Sequence, residues 1–192
     1  MAVPRLHAGL LIGAATLVLV FQVYVSISFG LIHGPMSREL GMSAATASTV
    51  SALYMAAAFL LQLPAGIAVD RLAPARVLAL ATLLCAAGSL VLAAAHSMPV
   101  ALAGSLAMGS GAAFAFVGAL KIVGIVVPPD RFVLWVGIWQ ILYSLIVATL
   151  SYATDALGAE TDWRGLLVII ATAAIPTSNA AASAATAWTQ KA

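Results

Sequence analysis

Residues 54–78 read YMAAAFLLQLPAGIAVDRLAPARVL. This stretch predicts the end of one long apolar helix, a charged elbow from Asp70 to Arg76, and the start of the next apolar helix. Asp70 is expected at the C-terminal end of its helix, where the helix dipole disfavours an anion. It therefore needs a compensating partner, for which the candidates are Arg71, Arg76 or the N-terminus of another helix.

The rest of the chain is nearly as apolar as this stretch. Hydrophobic types make up 64% of the 192 residues and charged types only 7%, whereas a soluble domain carries about 25% charged residues. A bilayer core accepts roughly 20 apolar residues per helix. The composition therefore predicts an all-α membrane protein, a bundle of five to six transmembrane helices with the lipid bilayer as its first partner.

Several classes of function find no support in the composition. The net charge of +2 gives no indication of nucleic-acid binding. The single cysteine, Cys85, excludes a disulfide within the chain and a cysteine-cluster metal site. No nucleophile–base constellation is present, so we predict no enzyme, no cofactor and no metal; a small helical membrane enzyme would require an ionisable cluster facing a cavity.

Apolar runs and turn signals divide the chain into six helices. They are predicted at about 8–32, 44–69, 77–95, 99–127, 132–154 and from 165 to 175 onward. Ser43 is the expected N-cap of the second helix, Pro64 is expected to kink that helix, and Pro128-Pro129 should end the fourth. Glycines of the fourth helix are expected to permit close packing, namely Gly104, Gly109, Gly111 and Gly118.

The end of the chain departs from this pattern. The bundle is expected to span residues 1–175, because an Ala/Ser/Thr-rich segment, 176–192, follows Pro176. Either the sixth helix is a weak span kinked at Pro176, or the segment is the atypical end of a truncated or frame-shifted gene product.

Basic residues at helix ends indicate the orientation. With a cytoplasmic N-terminus, four arginines lie inside and two lie outside; the inner set is Arg5, Arg71, Arg76 and Arg131, and the outer set is Arg38 and Arg164. This distribution agrees with the positive-inside rule. We therefore expect a multi-pass protein of the cell (inner or plasma) membrane with its N-terminus in the cytoplasm.

Polar residues inside the predicted spans fall on helical faces. Two interpretations stay open for them, which are interhelical hydrogen bonding and the lining of a substrate cavity. The candidates for the cavity are Gln22, Ser26, Tyr54, Gln62, Trp139, Gln140, Tyr143 and Ser144. Lys121, the only lysine in a span, either extends to the cytoplasmic interface or contacts an anionic substrate.

The elbow carries a family resemblance. Gly66-x-x-x-Asp70-Arg71-x-x-x-x-Arg76, between the second and third helices, resembles the signature loop of the major facilitator superfamily (MFS) of secondary transporters. Tyr54…Gln62-x-Pro64-x-Gly66 and the pair Trp163-Arg164 are also common in that superfamily. The resemblance covers about residues 8–175, and it corresponds to the N-terminal six-helix half with its 3+3 repeat.

The resemblance implies functional roles, and the chain also departs from the family pattern. A gating role follows for the loop residues Gly66, Asp70, Arg71 and Arg76, with a family partner for Asp70 on a helix of the C-terminal half. Ala73 stands where the loop usually has glycine, and Ser105 stands where the fourth helix often has a buried arginine. The proton-coupling role of that arginine is therefore not carried over.

The sequence therefore predicts transport of a small-molecule solute by alternating access, with this chain supplying half of the machinery. A second six-helix half or a copy of the chain is the expected partner. The alternative is a truncated membrane protein that does not transport. Neither the substrate nor the coupling ion can be derived from these residues.

Overall fold

The computed structural model describes residues 5–157 and 162–189, and these residues form seven α helices without a strand. The helices are α1 (Arg5–Glu39), α2 (Ala44–Leu60), α3 (Gln62–Arg71), α4 (Pro74–Ala93), α5 (Met98–Val126), α6 (Pro129–Leu157) and α7 (Trp163–Thr189). Five of them are long and apolar enough to cross a membrane by themselves, and α2 with α3, taken together as one bent pair, give a sixth candidate span. The predicted all-α bundle of five to six transmembrane helices is confirmed.

The second predicted helix, 44–69, is in fact two helices. The axes of α2 and α3 differ by 43° across the break at Leu61. Pro64 lies one turn further on, and its ring nitrogen has no hydrogen to donate to the carbonyl of Leu60. The kink expected from Pro64 is therefore confirmed. The predicted N-cap is confirmed as well, since the backbone N–H of Thr46 donates to the Ser43 hydroxyl at 3.1 Å.

The first helix is longer than predicted. A connector was expected from Gly34 to Ser43, but α1 continues through Pro35 and ends at Glu39. The chain turns at Gly41, whose φ of 63° suits a residue without a Cβ. The N–H of Met42 donates to the carbonyl of Ser37 at 2.9 Å, which closes a Schellman motif. The capping glycine, rather than the proline, sets the end of this helix.

The later helices also begin a few residues earlier than predicted. α4 starts at Pro74 and α6 at Pro129, where we expected residues 77 and 132. Proline suits the first turn of a helix, because its fixed φ is helical and its missing N–H would have no partner there. α5 lies within one residue of the predicted bounds, whereas α7 begins at Trp163 and continues through Pro176 to Thr189.

α5 lies at the centre of the bundle and packs against α4, α2, α1 and α3. A Cβ at Gly104 would lie 2.6 Å from the backbone nitrogen of Leu92, and one at Gly111 would lie 2.6 Å from the carbonyl oxygen of Ala81. A Cβ at Gly109 would meet the carbonyl of Tyr54. The close packing predicted for these glycines is therefore confirmed. α7 packs on α4 and α1, while most of the α6 surface is exposed.

The helix order gives the bundle two ends. The elbow end contains the α3–α4 and α5–α6 connections, and the opposite end, which we call the Glu39 end, contains the α1–α2 and α4–α5 connections. One buried cluster lies toward the Glu39 end around Ile32 and Leu167, and another lies toward the elbow end around Leu78 and Ile122. The polar site described next lies beside these clusters.

Candidate functional site

A cavity of about 640 Å³ opens between five of the helices. Its wall comes from α1, α2, α3, α5 and α6, and no described side chain of α4 or α7 contributes to it. Most of the wall is aliphatic or aromatic. The polar side chains in it are Gln22 and Ser26 from α1, Tyr54 from α2, Gln62 from α3, and Gln140 and Tyr143 from α6. None of the described residues in the wall is a charged type.

Three hydroxyl groups meet on one side of the cavity. The Tyr143 hydroxyl donates to Ser26 Oγ at 3.3 Å, and Ser26 Oγ lies 3.4 Å from the Tyr54 hydroxyl. The Tyr54 ring stacks on Phe29 with ring centroids 4.4 Å apart, which fixes its direction. The cluster therefore joins α6, α1 and α2 through side chains that also face the cavity.

Gln22 forms a second polar feature of the wall. Its side-chain Nε2 lies 3.7 Å from Cys85 Sγ, and the Cys85 thiol donates to the carbonyl of Met108 at 3.2 Å. Gln22 is only 6% exposed. Among the described residues, its Oε1 is the one buried side-chain oxygen or nitrogen without a hydrogen-bond partner. Such an atom is unfavourable in an apolar wall and requires an explanation.

The structure brings most of the predicted cavity residues together. The wall includes Gln22, Ser26, Tyr54, Gln62, Trp139, Gln140 and Tyr143. Ser144 and Lys121 lie outside it. Ser144 is exposed, and its hydroxyl donates a hydrogen bond to the backbone carbonyl of Gln140 at 2.9 Å. A role for any of these residues in binding a substrate stays a prediction.

Lys121 has a different neighbour from those considered for it. Its Nζ lies 2.7 Å from Asp70 Oδ1, which joins α5 to α3 at the elbow end. Arg71 and Arg76, the partners considered for Asp70, are exposed and form no ion pair within the described part of the chain. The exposed fractions of the Lys121 and Asp70 side chains are 45% and 67%, so water screens their attraction.

Gly66 has open space around it. A Cβ built at this residue would meet no atom within 4 Å in the described chain. No described helix of this bundle therefore packs closely on this glycine.

A polar network that the sequence did not predict holds the Glu39 end together. Arg164 Nε and one terminal nitrogen donate to Glu39 Oε1 at 3.0 and 2.9 Å, and the indole N–H of Trp163 donates to Glu39 Oε2 at 2.6 Å. The Arg164 guanidinium also donates to the carbonyls of Ala93 and Ala95 and lies over the Trp163 ring. One arginine therefore ties α7 to α1 and to the α4–α5 turn. The only signal in the sequence was the Trp163-Arg164 pair.

No group of three or more His, Cys, Asp or Glu side chains that is able to hold a metal ion occurs in residues 5–157 and 162–189. The wall of the cavity offers hydroxyls, amides and aromatic rings instead. Such groups suit the binding of an organic molecule by hydrogen bonds and apolar contact.

The fold and the cavity define a multi-pass helical membrane protein of the transporter-like class. The family model of the Major Facilitator Superfamily matches residues 10–185, and the chain belongs to this superfamily. The comparison with curated proteins gives no match. Members of the superfamily are transporters rather than enzymes.

Proposed function

We propose that this chain forms one six-span bundle of a secondary transporter and that the cavity binds a small solute for alternating access from the two sides of the membrane. The supporting observation is the cavity itself, in which three hydroxyls and three amides from four helices converge on an otherwise apolar wall. Its volume of about 640 Å³ falls in the range of small-molecule sites, roughly 300–1,000 Å³.

The wall of the cavity is incomplete on one side. Phe59 lines the cavity and is nevertheless 68% exposed, and Met55 beside it is 46% exposed. Leu63 on α3 and Ile141 on α6 are also apolar and exposed. We propose that a second bundle closes this side, provided by a copy of this chain or by a separate C-terminal half.

The proposed orientation places the N-terminus in the cytoplasm of a cell with the bundle in its inner or plasma membrane. Arg71, Arg76 and Arg131 lie at the elbow end, whereas Arg38 and Arg164 lie at the Glu39 end. The positive-inside rule then makes the elbow end cytoplasmic. The Asp70–Lys121 pair would thus join α3 to α5 on the cytoplasmic side, and we propose that it acts in gating together with Gly66, Arg71 and Arg76.

Reconstitution at controlled density tests the proposal. The purified chain is incorporated into liposomes at increasing copy number per vesicle, and uptake is measured for a panel of labelled neutral, anionic and cationic solutes. If a second copy completes the cavity, uptake at low loading rises with the square of the copy number, because only vesicles with two copies transport.

Two other outcomes of this experiment would contradict the proposal. Uptake in direct proportion to copy number would show that a single copy transports, and it would refute the need for a second bundle. Absence of uptake at every loading would refute pairing between copies. Asp70→Asn should slow uptake, whereas the control Asp130→Asn, which removes an exposed carboxylate that pairs with its neighbour Arg131 at 3.8 Å, should not.

A further inference from the structure

We infer that the second bundle is a copy of this chain, and that α3 of each copy packs against α6 of the other around a two-fold axis perpendicular to the membrane. The inference rests on the proposed function, because it names the partner that completes the cavity. It also makes the site a shared one, to which each copy contributes its own Gln62 and Gln140.

The open edge of the cavity is a gap between α3 and α6. Within the described residues, α6 packs on α1 and α5 and has no contact with α2 or α3. Side chains from both sides of this gap nevertheless line the cavity, with Phe59 and Gln62 on one side and Gln140 on the other. A bundle that closes the cavity must therefore contact α3 and α6 of this chain together.

The two glutamines at this edge lie near the middle of the membrane. Along their helices, Gln62 is roughly 12 Å from Asp70, and Gln140 is roughly 14 Å from Arg131. Asp70 and Arg131 are both at the elbow end, and a bilayer core is about 30 Å thick. Neither glutamine side chain forms a hydrogen bond within the described residues. Lipid tails cannot bond to an amide, so this edge does not suit contact with lipid.

Charges at the elbow end favour a copy of this chain as the partner. α3 runs toward this end and finishes with Asp70-Arg71, whereas α6 runs away from it and begins at Pro129 with Asp130-Arg131 next. Antiparallel contact between α3 of one copy and α6 of the other places Asp70 beside Arg131 and Arg71 beside Asp130. All four side chains are exposed. Matched charges of this kind determine the register and the choice of partner.

Contacts between equivalent helices lack this match. An axis that pairs α3 with α3, or α6 with α6, sets each charged residue near the axis against its own copy. The glycines at the proposed contact leave room for a second bundle, because a Cβ at Gly66 on α3 or at Gly137 on α6 would meet no atom within 4 Å. The charge pattern thus selects the contact between α3 and α6.

Crosslinking between two differently tagged copies in the membrane tests the inference. One copy has Leu63→Cys on α3, the other has Ile141→Cys on α6, and a short dimaleimide joins neighbouring thiols. Cys85 is fully buried and stays unreactive in the folded chain. The control uses Leu80→Cys on α4 in place of Ile141→Cys, because Leu80 and Ile141 are equally exposed, at 62%. The pair of α3 and α6 should crosslink roughly tenfold more than the control pair.

Charge reversal tests the match at the elbow end. Arg71→Asp in the copy with Leu63→Cys should lower the yield of crosslinked pairs by roughly two- to fivefold, the effect expected for exposed ion pairs. Asp130→Arg in the copy with Ile141→Cys should then restore the yield, because the reversed charges match again. A variant that only folds poorly would not be rescued by a change in the other copy.

Three results would overturn the inference. They are equal crosslinking of the test pair and the control pair, stronger crosslinking between two copies that both have Leu63→Cys, and no restoration by the second charge reversal. The first result would leave a separate C-terminal half as the closing bundle. Crosslinked pairs without uptake would refute transport and keep the inference, whereas uptake in proportion to copy number without crosslinking would refute the inference and keep transport.

Discussion

Replacement of Gly104 by alanine should loosen the contact between α4 and α5. The added Cβ would lie 2.6 Å from the backbone nitrogen of Leu92 and 2.8 Å from the carbonyl oxygen of Gly88. The shorter of these distances is about 0.8 Å below the 3.4 Å at which ordinary contact begins. Both neighbours are backbone atoms, so no side chain can rotate away and the helices must separate. Overpacking of this kind costs about 1–3 kcal/mol.

Gly137 supplies a matched control on α6. A Cβ there meets no atom within 4 Å, so Gly137→Ala should raise stability by about 0.5–1 kcal/mol through helix propensity. The same propensity gain acts at Gly104, and the difference between the two variants therefore isolates the packing cost. The unfolding midpoint of Gly104→Ala should lie roughly 2–12 °C below that of Gly137→Ala.

The single cysteine makes the measurement direct. Cys85 is fully buried and is the one thiol in the chain. A fluorogenic maleimide in detergent solution therefore reports unfolding as Cys85 becomes accessible on heating. The Cys85 thiol donates to the carbonyl of Met108 across the contact between α4 and α5, so it reports the separation of the two helices that Gly104→Ala perturbs. A midpoint for Gly104→Ala equal to or above that of Gly137→Ala would refute the argument that backbone contact at this glycine limits the packing.

The same thiol assay checks three further predictions. Glu39→Gln should lower the unfolding midpoint, because the Arg164 guanidinium and the Trp163 indole lose a charged acceptor. The decrease should be larger than that caused by the control Asp130→Asn. Equal midpoints for the two variants would contradict this role of the network. Asp70→Asn and Lys121→Gln should each leave the unfolding midpoint within about 1 °C of the parent, because an ion pair this exposed contributes little stability. A decrease as large as that of Gly104→Ala would show that the pair has a structural role instead. Gly41→Ala should lower the free energy of unfolding by about 1–2 kcal/mol, because the φ of 63° at this position strains a residue with a Cβ. Gly41→Asn should lower it by less. Indistinguishable unfolding midpoints for these two variants would rule out the strain.

Local signals in the sequence were sufficient for most of the fold. The kink at Pro64 and the N-cap at Ser43 were predicted from local signals, and apolar length gave the number of spans. The errors lie at helix ends, and they have local causes. The sequence predicts a connector that includes Pro35, yet α1 continues past this proline because the capping geometry is completed only at Gly41.

Helical periodicity predicted which residues of a single helix share one face, and this part of the candidate cavity was therefore predictable. Gln140, Tyr143 and Trp139 share one face of α6, and the structure places that face on the cavity. Ser144 lies about 40° beyond Gln140 around the helix, on the side away from Trp139, and it is outside the wall.

The contacts between helices were not predictable in the same way. Lys121 and Asp70 are separated by 51 positions, and Gln22 and Cys85 by 63. The rotation of each helix about its own axis decides which residues form such pairs, and the close backbone contacts at the glycines of α5 restrict the rotation of that helix. A single sequence does not show how far each helix is rotated about its axis.

The Asp70–Lys121 pair and the cavity share the same two helices, and this gives the charged elbow a physical connection to the site. α3 contributes Gln62 to the wall and Asp70 to the pair, while α5 contributes Leu120 to the wall and Lys121 to the pair. A change in the separation of α3 and α5 must therefore alter the width of the cavity and the distance between the two charges together.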